Sequence, residues 1–186
     1  MTTFTTHTIE SAPKAAQPFL QGAKDAYSFV PNLLGTMAEA PELLEAYMTL
    51  SGIFNKTSLS ETERQIILMT NNRLNGCTYC MAAHTSLSEM AGVEAGIIEA
   101  LRDNTAIADE KLEALRTFTI VINQSKGWPS ETQLNAFLSA GYTQQNVLEI
   151  ILGTSLKVLS NYTNHIATTT LDEAFASNIW APNQAA

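Results

Sequence analysis

A chain of 186 residues with a formal net charge of −8 is long enough for one domain with a real core and short for two, and it repels phosphate backbones, which argues against nucleic acid as a partner. With 45% apolar and 15% charged residues it reads as a globular chain, and no run approaches the roughly 20 apolar residues that a membrane-spanning helix needs. The start, Met1-Thr2-Thr3-Phe4-Thr5-Thr6, has neither the basic end nor the apolar stretch of a secretory signal, so a cytoplasmic location is expected.

The pattern along the chain is helical punctuation, apart from a Thr-rich N-terminal arm. Pro41 opens Pro41-Glu42-Leu43-Leu44 with proline and an acid in a first turn. Ser60 and Glu63 form a capping box before a helix carrying Ile66, Ile67, Met69 and Leu74. Asn75-Gly76 is a strong helix stop. The next helix is expected from about Cys77 to Ala91, with Gly92 as its cap, and another from Glu94 to Arg102. Asp109 caps a helix with Leu112, Leu115, Phe118, Thr119 and Ile122 on one face. Ser130 and Gln133 repeat the capping box before a short helix ending at Gly141. Thr143 starts the longest helix, through Val147, Leu148, Ile151, Leu156, Leu159, Tyr162 and Ile166. The expectation is an all-α, single-domain bundle of about seven to nine helices over residues 21–176, with a flexible arm at 1–20 and a tail at 177–186.

The chain has only two cysteines, Cys77 and Cys80. A disulfide across so small a loop would stabilise by only about 2 kcal/mol, so reversible chemistry explains the pair better than stapling does. On a helix, Cys77, Cys80 and His84 share a face, because residues three and four apart are neighbours. The helix-start position favours a thiolate through unpaired N–H groups and the helix dipole. His84 could accept a proton from Cys80, directly or through water. An acidified thiol, a base and a second thiol are what reductive cleavage of a peroxide requires. Two plainer readings stand beside this one. The pair could be inert and buried, or Cys77, Cys80 and His84 could bind zinc with His165 as a fourth ligand, although structural zinc sites usually join two separated ligand pairs.

The run Glu63-Arg64-Gln65-Ile66-Ile67-Leu68, followed by Asn75-Gly76-Cys77-Thr78-Tyr79-Cys80-Met81-Ala82-Ala83-His84, resembles the signature of the carboxymuconolactone decarboxylase superfamily, and within it the alkylhydroperoxidase D-like, peroxidase-related branch. Phe137-Leu138-Ser139-Ala140-Gly141-Tyr142, Leu159 to Ala167 and Leu171-Asp172-Glu173-Ala174-Phe175 are similar to that branch too. The resemblance implies an all-helical fold, assembly into trimers or hexamers, no cofactor, and a peroxiredoxin-type cycle. In that cycle Cys80 is oxidised to the sulfenic acid by a hydroperoxide, Cys77 resolves it, His84 assists proton transfer, and a protein or lipoyl-type dithiol donor recharges the disulfide. The family's relay has a glutamate where this chain has Gln65, and its best-known member has a histidine where this chain has Tyr79. Neither Gln65 nor Tyr79 is a base at neutral pH, and Glu63 lies about 200° around the helix from Gln65, so slow turnover or a non-turnover redox-sensing or dithiol-exchange role is the alternative.

Among the remaining residues, His165 is expected in the core, at an interface or beside the dithiol. His7 is expected to be solvated, and Met48, Met69, Met81 and Met90 to fill the core. Trp128 and Trp180 are candidate interface anchors. Glu61, Glu63, Asp109 and Glu110 read as helix-start charges.

Overall fold

The computed structural model describes residues 4–182. Along them run nine α-helices and a closing 3-10 turn, with no strand among the described residues. They are α1 (Gln17–Tyr27), α2 (Asn32–Met37), α3 (Pro41–Phe54), α4 (Glu61–Leu74), α5 (Thr78–Met90), α6 (Ala95–Asp103), α7 (Glu110–Ser125), α8 (Glu131–Ser139) and α9 (Gln144–Ala167), then the turn Glu173–Asn178. The expected starts are met residue by residue. Ser60, Ser130 and Thr143 each close a capping box, and the Asp109 side chain accepts from the Leu112 N–H. Helices α1 and α2 lie upstream of the first expected helix, each with a proline at its start, Pro18 and Pro31.

The centre is α4. Gln65 to Asn72 are eight consecutive buried residues, and helices α5, α6, α7 and α9 pack around them. A helix buried on every side cannot be amphipathic; of the polar members of this run, Gln65, Asn71 and Asn72 are bonded internally, while the Thr70 hydroxyl has no hydrogen-bond partner among the described residues. On one side of α4 lies a core of Ile66, Ile67, Met69, Leu101, Leu115, Phe118, Phe137 and Ile150. The rings of Phe118, Phe137 and Tyr142 stack there at centroid separations of 4.4 and 4.6 Å. A second core gathers Leu20, Leu33, Leu34, Met37 and Leu44 around Cys77, Tyr79, Cys80 and Ala83. Helix α9 reaches both cores and approaches α3 and α4 closely at Gly153, where a Cβ would sit 2.8 Å from both Ile67 and Phe54.

Several expectations are corrected by packing. From residue 4 the expected flexible arm lies against α2: the His7 N–H donates to the Gly35 carbonyl at 3.0 Å, and Ala12 and Ala16 are buried. His7 is not solvated; its side chain is 12% exposed, and its Nε2 lies 2.7 Å from Glu39. Trp180, expected in a tail, is 7% exposed; it donates to the Arg102 carbonyl at 3.1 Å and lies under the Arg73 guanidinium. Met90 is surface rather than core, at 84% exposed. The outward face of α9 carries Leu148, Ile151, Val158, Tyr162 and Ile166, all exposed. Its inward face continues past Leu156 as Lys157, Ser160, Asn161 and Asn164, all buried. The C-terminal half of this helix is therefore inside out relative to an ordinary surface helix.

Candidate active site

The dithiol is built where α4 ends. Gly76 takes the left-handed conformation (φ +68°), and its N–H returns to the Arg73 carbonyl, while the Cys77 N–H returns to the Asn72 carbonyl. This is a Schellman closure, and glycine is the residue that adopts its positive φ without strain. It fixes Cys77 as the N-cap of α5. The Cys77 sulfur therefore does not project from a helix face; from its extended backbone it accepts the Cys80 N–H at 3.3 Å, the role serine plays at an ordinary cap. Both cysteines are free and buried, at 1% and 2% exposed.

A second helix faces them. From α9, the Asn164 amide donates to the Cys80 sulfur at 3.1 Å and lies 3.7 Å from that of Cys77. One turn earlier Asn161 donates to Asn72, which in turn donates to the Cys80 carbonyl, and Asn75 donates to Asn161. Asn123 of α7 donates to Asn71 and Asn75. This ladder of asparagines carries the polar groups of three helices through the interior without leaving donors unpaired.

Lys157, on the same face of α9, is 1% exposed. Its Nζ donates to His84 Nε2 at 3.0 Å. His84 Nδ1 lies 2.9 Å from Gln65 Oε1, and Gln65 spends its own amide on Glu61 at 2.8 Å. The Gln65 oxygen can only accept, so this network assigns the ring proton to Nδ1 and leaves Nε2 to receive the ammonium. Burial, and then the Lys157 charge, hold the His84 pKa well below its usual range, so the ring is neutral. Among the described residues neither ring nitrogen bonds a cysteine.

Burial pushes the Cys80 thiol up, but the Cys77 hydrogen bond, the Lys157 ammonium and the Asn161 and Asn164 amides outweigh it and bring it down to about 6. Cys77 moves the other way, raised by its hydrogen bond to Cys80, by burial and by the Cys80 charge. Two like groups in contact share one ionisation, and it falls on Cys80. Burial lowers Lys157, and the charges of Cys80 and Cys77 oppose that.

Cys80, His84 and Lys157 line one cavity of about 450 Å³, walled by Phe29, Leu33, Leu34, Tyr79, Leu87 and Phe175; Cys77 is absent from its lining. The sequence-derived trio is thus close together but not equivalent: Cys80 and His84 face the cavity, and Cys77 lies behind. Gln65 orients His84. Tyr79 contributes its ring, while its hydroxyl donates to Asp172 and accepts from the Leu33 N–H, which clasps the closing turn and α2 onto α5. His165 is on the outer, exposed face of α9, its ring 6.4 Å from Tyr162 and away from the thiols; the inward neighbour is Asn164. A zinc set including His165 is therefore not assembled, and among the described residues no group of three or more His, Cys, Asp or Glu side chains could hold a metal. Lys157, Asn161 and Asn164 are the residues sequence reasoning missed. Their signal was a polar stripe at spacings of four and three on a helix read only by its apolar positions.

Residues 41–121 match the family model described as "Carboxymuconolactone decarboxylase family". The dithiol lies inside this segment, which is similar to the carboxymuconolactone decarboxylase family. The fold agrees. An alkylhydroperoxidase AhpD core structure, a peroxidase-related protein from Ralstonia eutropha JMP134, superposes with a TM-score of 0.83 at 19% identity, covering 92% of this chain and 93% of that one. A peroxidase-related protein from Silicibacter sp. TM1040 gives 0.77 at 19% identity, over 88% and 87% of the two chains. A cysteine-to-alanine variant of the debrominase Bmp8 in complex with 2,3,4-tribromopyrrole gives 0.79 at 18%, over 96% of each chain. No curated protein matches the chain in sequence. Among the described residues no helix is long and apolar enough to cross a membrane.

Proposed function

We propose that the protein is a thiol-dependent hydroperoxide reductase working through a Cys77–Cys80 dithiol–disulfide cycle. The observation that carries this is the asymmetry of the pair: Cys80 opens on the cavity and is acidified, while Cys77 is withheld from the cavity and remains a thiol. Only the ionised sulfur that lines the cavity can attack a peroxide, and only the other can resolve the sulfenic acid. His84, neutral and held by Gln65, orients Lys157 rather than drawing a proton from Cys80. Gln65 is thus suited to holding this tautomer. The apolar walls favour an organic hydroperoxide over hydrogen peroxide. A dithiol donor, of protein or lipoyl type, would recharge the disulfide, and the exposed apolar stripe of α9 supports a homo-oligomer that buries it.

The test is rapid mixing of reduced protein with cumene hydroperoxide and with hydrogen peroxide, followed by mass spectrometry of Cys80. Consumption of the organic peroxide with a Cys77–Cys80 disulfide as product is expected. Cys80→Ser should remove it, and Cys77→Ser should stop the reaction at the sulfenic acid after one turnover. Undiminished peroxide consumption by Cys80→Ser defeats the reading. A disulfide that forms and reduces without turnover under any donor favours a redox-sensing or dithiol-exchange module instead. The second substrate reading is a halogenated aromatic, suggested by the debrominase of the same fold and by the Phe29, Tyr79 and Phe175 rings on the cavity wall. Thiol-dependent bromide release from 2,3,4-tribromopyrrole would favour it.

A further inference from the structure

We propose that Lys157 is the acid that protonates the leaving oxygen when Cys80 cleaves a hydroperoxide, and that this amine then takes up protons from the two thiols in turn. The proposal rests on the hydroperoxide reductase reading above.

The first ground is the company Lys157 keeps. It is 1% exposed, and its one hydrogen-bond partner among the described residues is the neutral ring of His84. Among the described residues no carboxylate lies within ion-pair distance of it. An unpaired ammonium is costly to bury, and a neutral acceptor satisfies only one of its three N–H bonds. The groups facing it are Cys77, Cys80 and His84 of α5 and Tyr47 of α3, with Gln65 and, beyond it, Glu61 on α4. The available anions are therefore the Cys80 thiolate and whatever oxyanion forms in the cavity.

The second ground is elimination. Lys157 lines the same cavity as Cys80. The other acids there are poorer candidates: the Tyr79 hydroxyl is committed to Asp172, burial pushes the Tyr47 hydroxyl up and makes it a weaker acid, and His84 donates its single ring proton to Gln65. Tyr27 is half exposed. Gln65 interrupts any route inward from Glu61, because an amide does not relay a proton by ionising. The proton must circulate locally.

The cycle then balances. The Cys80 thiolate attacks the terminal oxygen of ROOH, and the O–O bond breaks. The sulfur is oxidised to the sulfenic acid, and the departing RO⁻ takes a proton from Lys157 to give ROH and a neutral amine. That amine accepts the Cys77 proton, Cys77 attacks the Cys80 sulfur, and the displaced hydroxide leaves as water with the same proton. A dithiol donor reduces the disulfide and returns both thiols, and the Cys80 proton passes to Lys157, restoring thiolate and ammonium. The net change is ROOH plus a dithiol giving ROH, water and a disulfide.

The experiment compares two oxidants and one alkylating agent on the full-length wild type and on Lys157→Met. Cumene hydroperoxide expels an alkoxide that needs a proton; peracetic acid expels acetate, which does not. Iodoacetamide reads Cys80 ionisation without any leaving oxygen. With rates compared at a pH where Cys80 is fully ionised in each protein, Lys157→Met should lose about 100-fold or more on cumene hydroperoxide and less than about tenfold on peracetic acid. Its alkylation midpoint should move to higher pH. Lys157→Gln, which keeps an amide donor for His84 but no acidic proton, should give the same pattern and serves if the methionine variant does not fold. Equal losses on the two oxidants, or an unmoved alkylation midpoint, overturn the role of Lys157 alone. A wild type that alkylates normally but consumes neither oxidant overturns the reductase reading and this role with it.

Discussion

The two cores of the molecule are built in opposite ways. The one between α4 and α6 to α8 is mainly apolar, with Leu115 and Ile67 fully buried and a stacked aromatic column through Phe137. The other wraps aliphatic side chains around two thiols, and beside it the inner face of α9 presents a buried ammonium and two asparagines. The first gains its stability from area removed from water and tolerates no polar guest without a partner. The second gives up part of that gain to keep ionisable groups dry, where charges act on one another more strongly than in water. Division of labour follows: stability can come from one core while the other holds a thiolate.

Perturbing each core separately sharpens or breaks this contrast. Leu115→Ala in the first core should cost roughly 2–5 kcal/mol in urea unfolding while the folded fraction keeps its peroxide rate. A proportional loss of rate per folded molecule would mean that the cores are coupled. Tyr79→Phe keeps the ring on the cavity wall but leaves buried Asp172 with only the Asn32 N–H. A stability loss of about 1–3 kcal/mol is expected, with turnover within a few-fold of wild type, measured by the same unfolding and peroxide assays. A large drop in turnover would return Tyr79 to the chemistry.

The smallest effect concerns pH. The folded-state pKa of Cys80 is lowered, so thiolate, and with it alkylation and peroxide consumption, should be full above pH about 6 and decline as the pH falls through that value. The same shift contributes stability that is present above the unfolded thiol pKa and lost as the pH falls toward about 6. Asn164→Ala removes one donor to the sulfur and should move the alkylation midpoint upward by a few tenths to one unit, with little change in unfolding free energy. A midpoint near that of a free thiol in the wild type would break the contrast between the cores.

Much of this was legible in the sequence. Caps and stops are local: a serine or threonine three residues ahead of a glutamate, glutamine or asparagine satisfies its own helix end, and Asn75-Gly76 closes α4 wherever the rest of the chain lies. That is why the helical order and the grouping of Cys77, Cys80 and His84 over two successive turns at one helix start could be read directly. What a helix faces is not local. The apolar positions of α9 mark a helix but not its inner face: Leu148, Tyr162 and Ile166 face outward and Lys157, Asn161 and Asn164 inward, because the partners that satisfy the polar face come from α4 and α5, about 70 to 90 residues away in the chain. His165 and Asn164 differ by one position and by nearly a third of a turn, and only the packing of α9 against the thiols chose between them. The sequence by itself determined the helices, their ends and the dithiol motif, since these depend on neighbours along the chain. Tertiary structure decided which sulfur meets the cavity, which polar groups set its charge, and that His84 serves Lys157, since each of these depends on groups brought together only by folding.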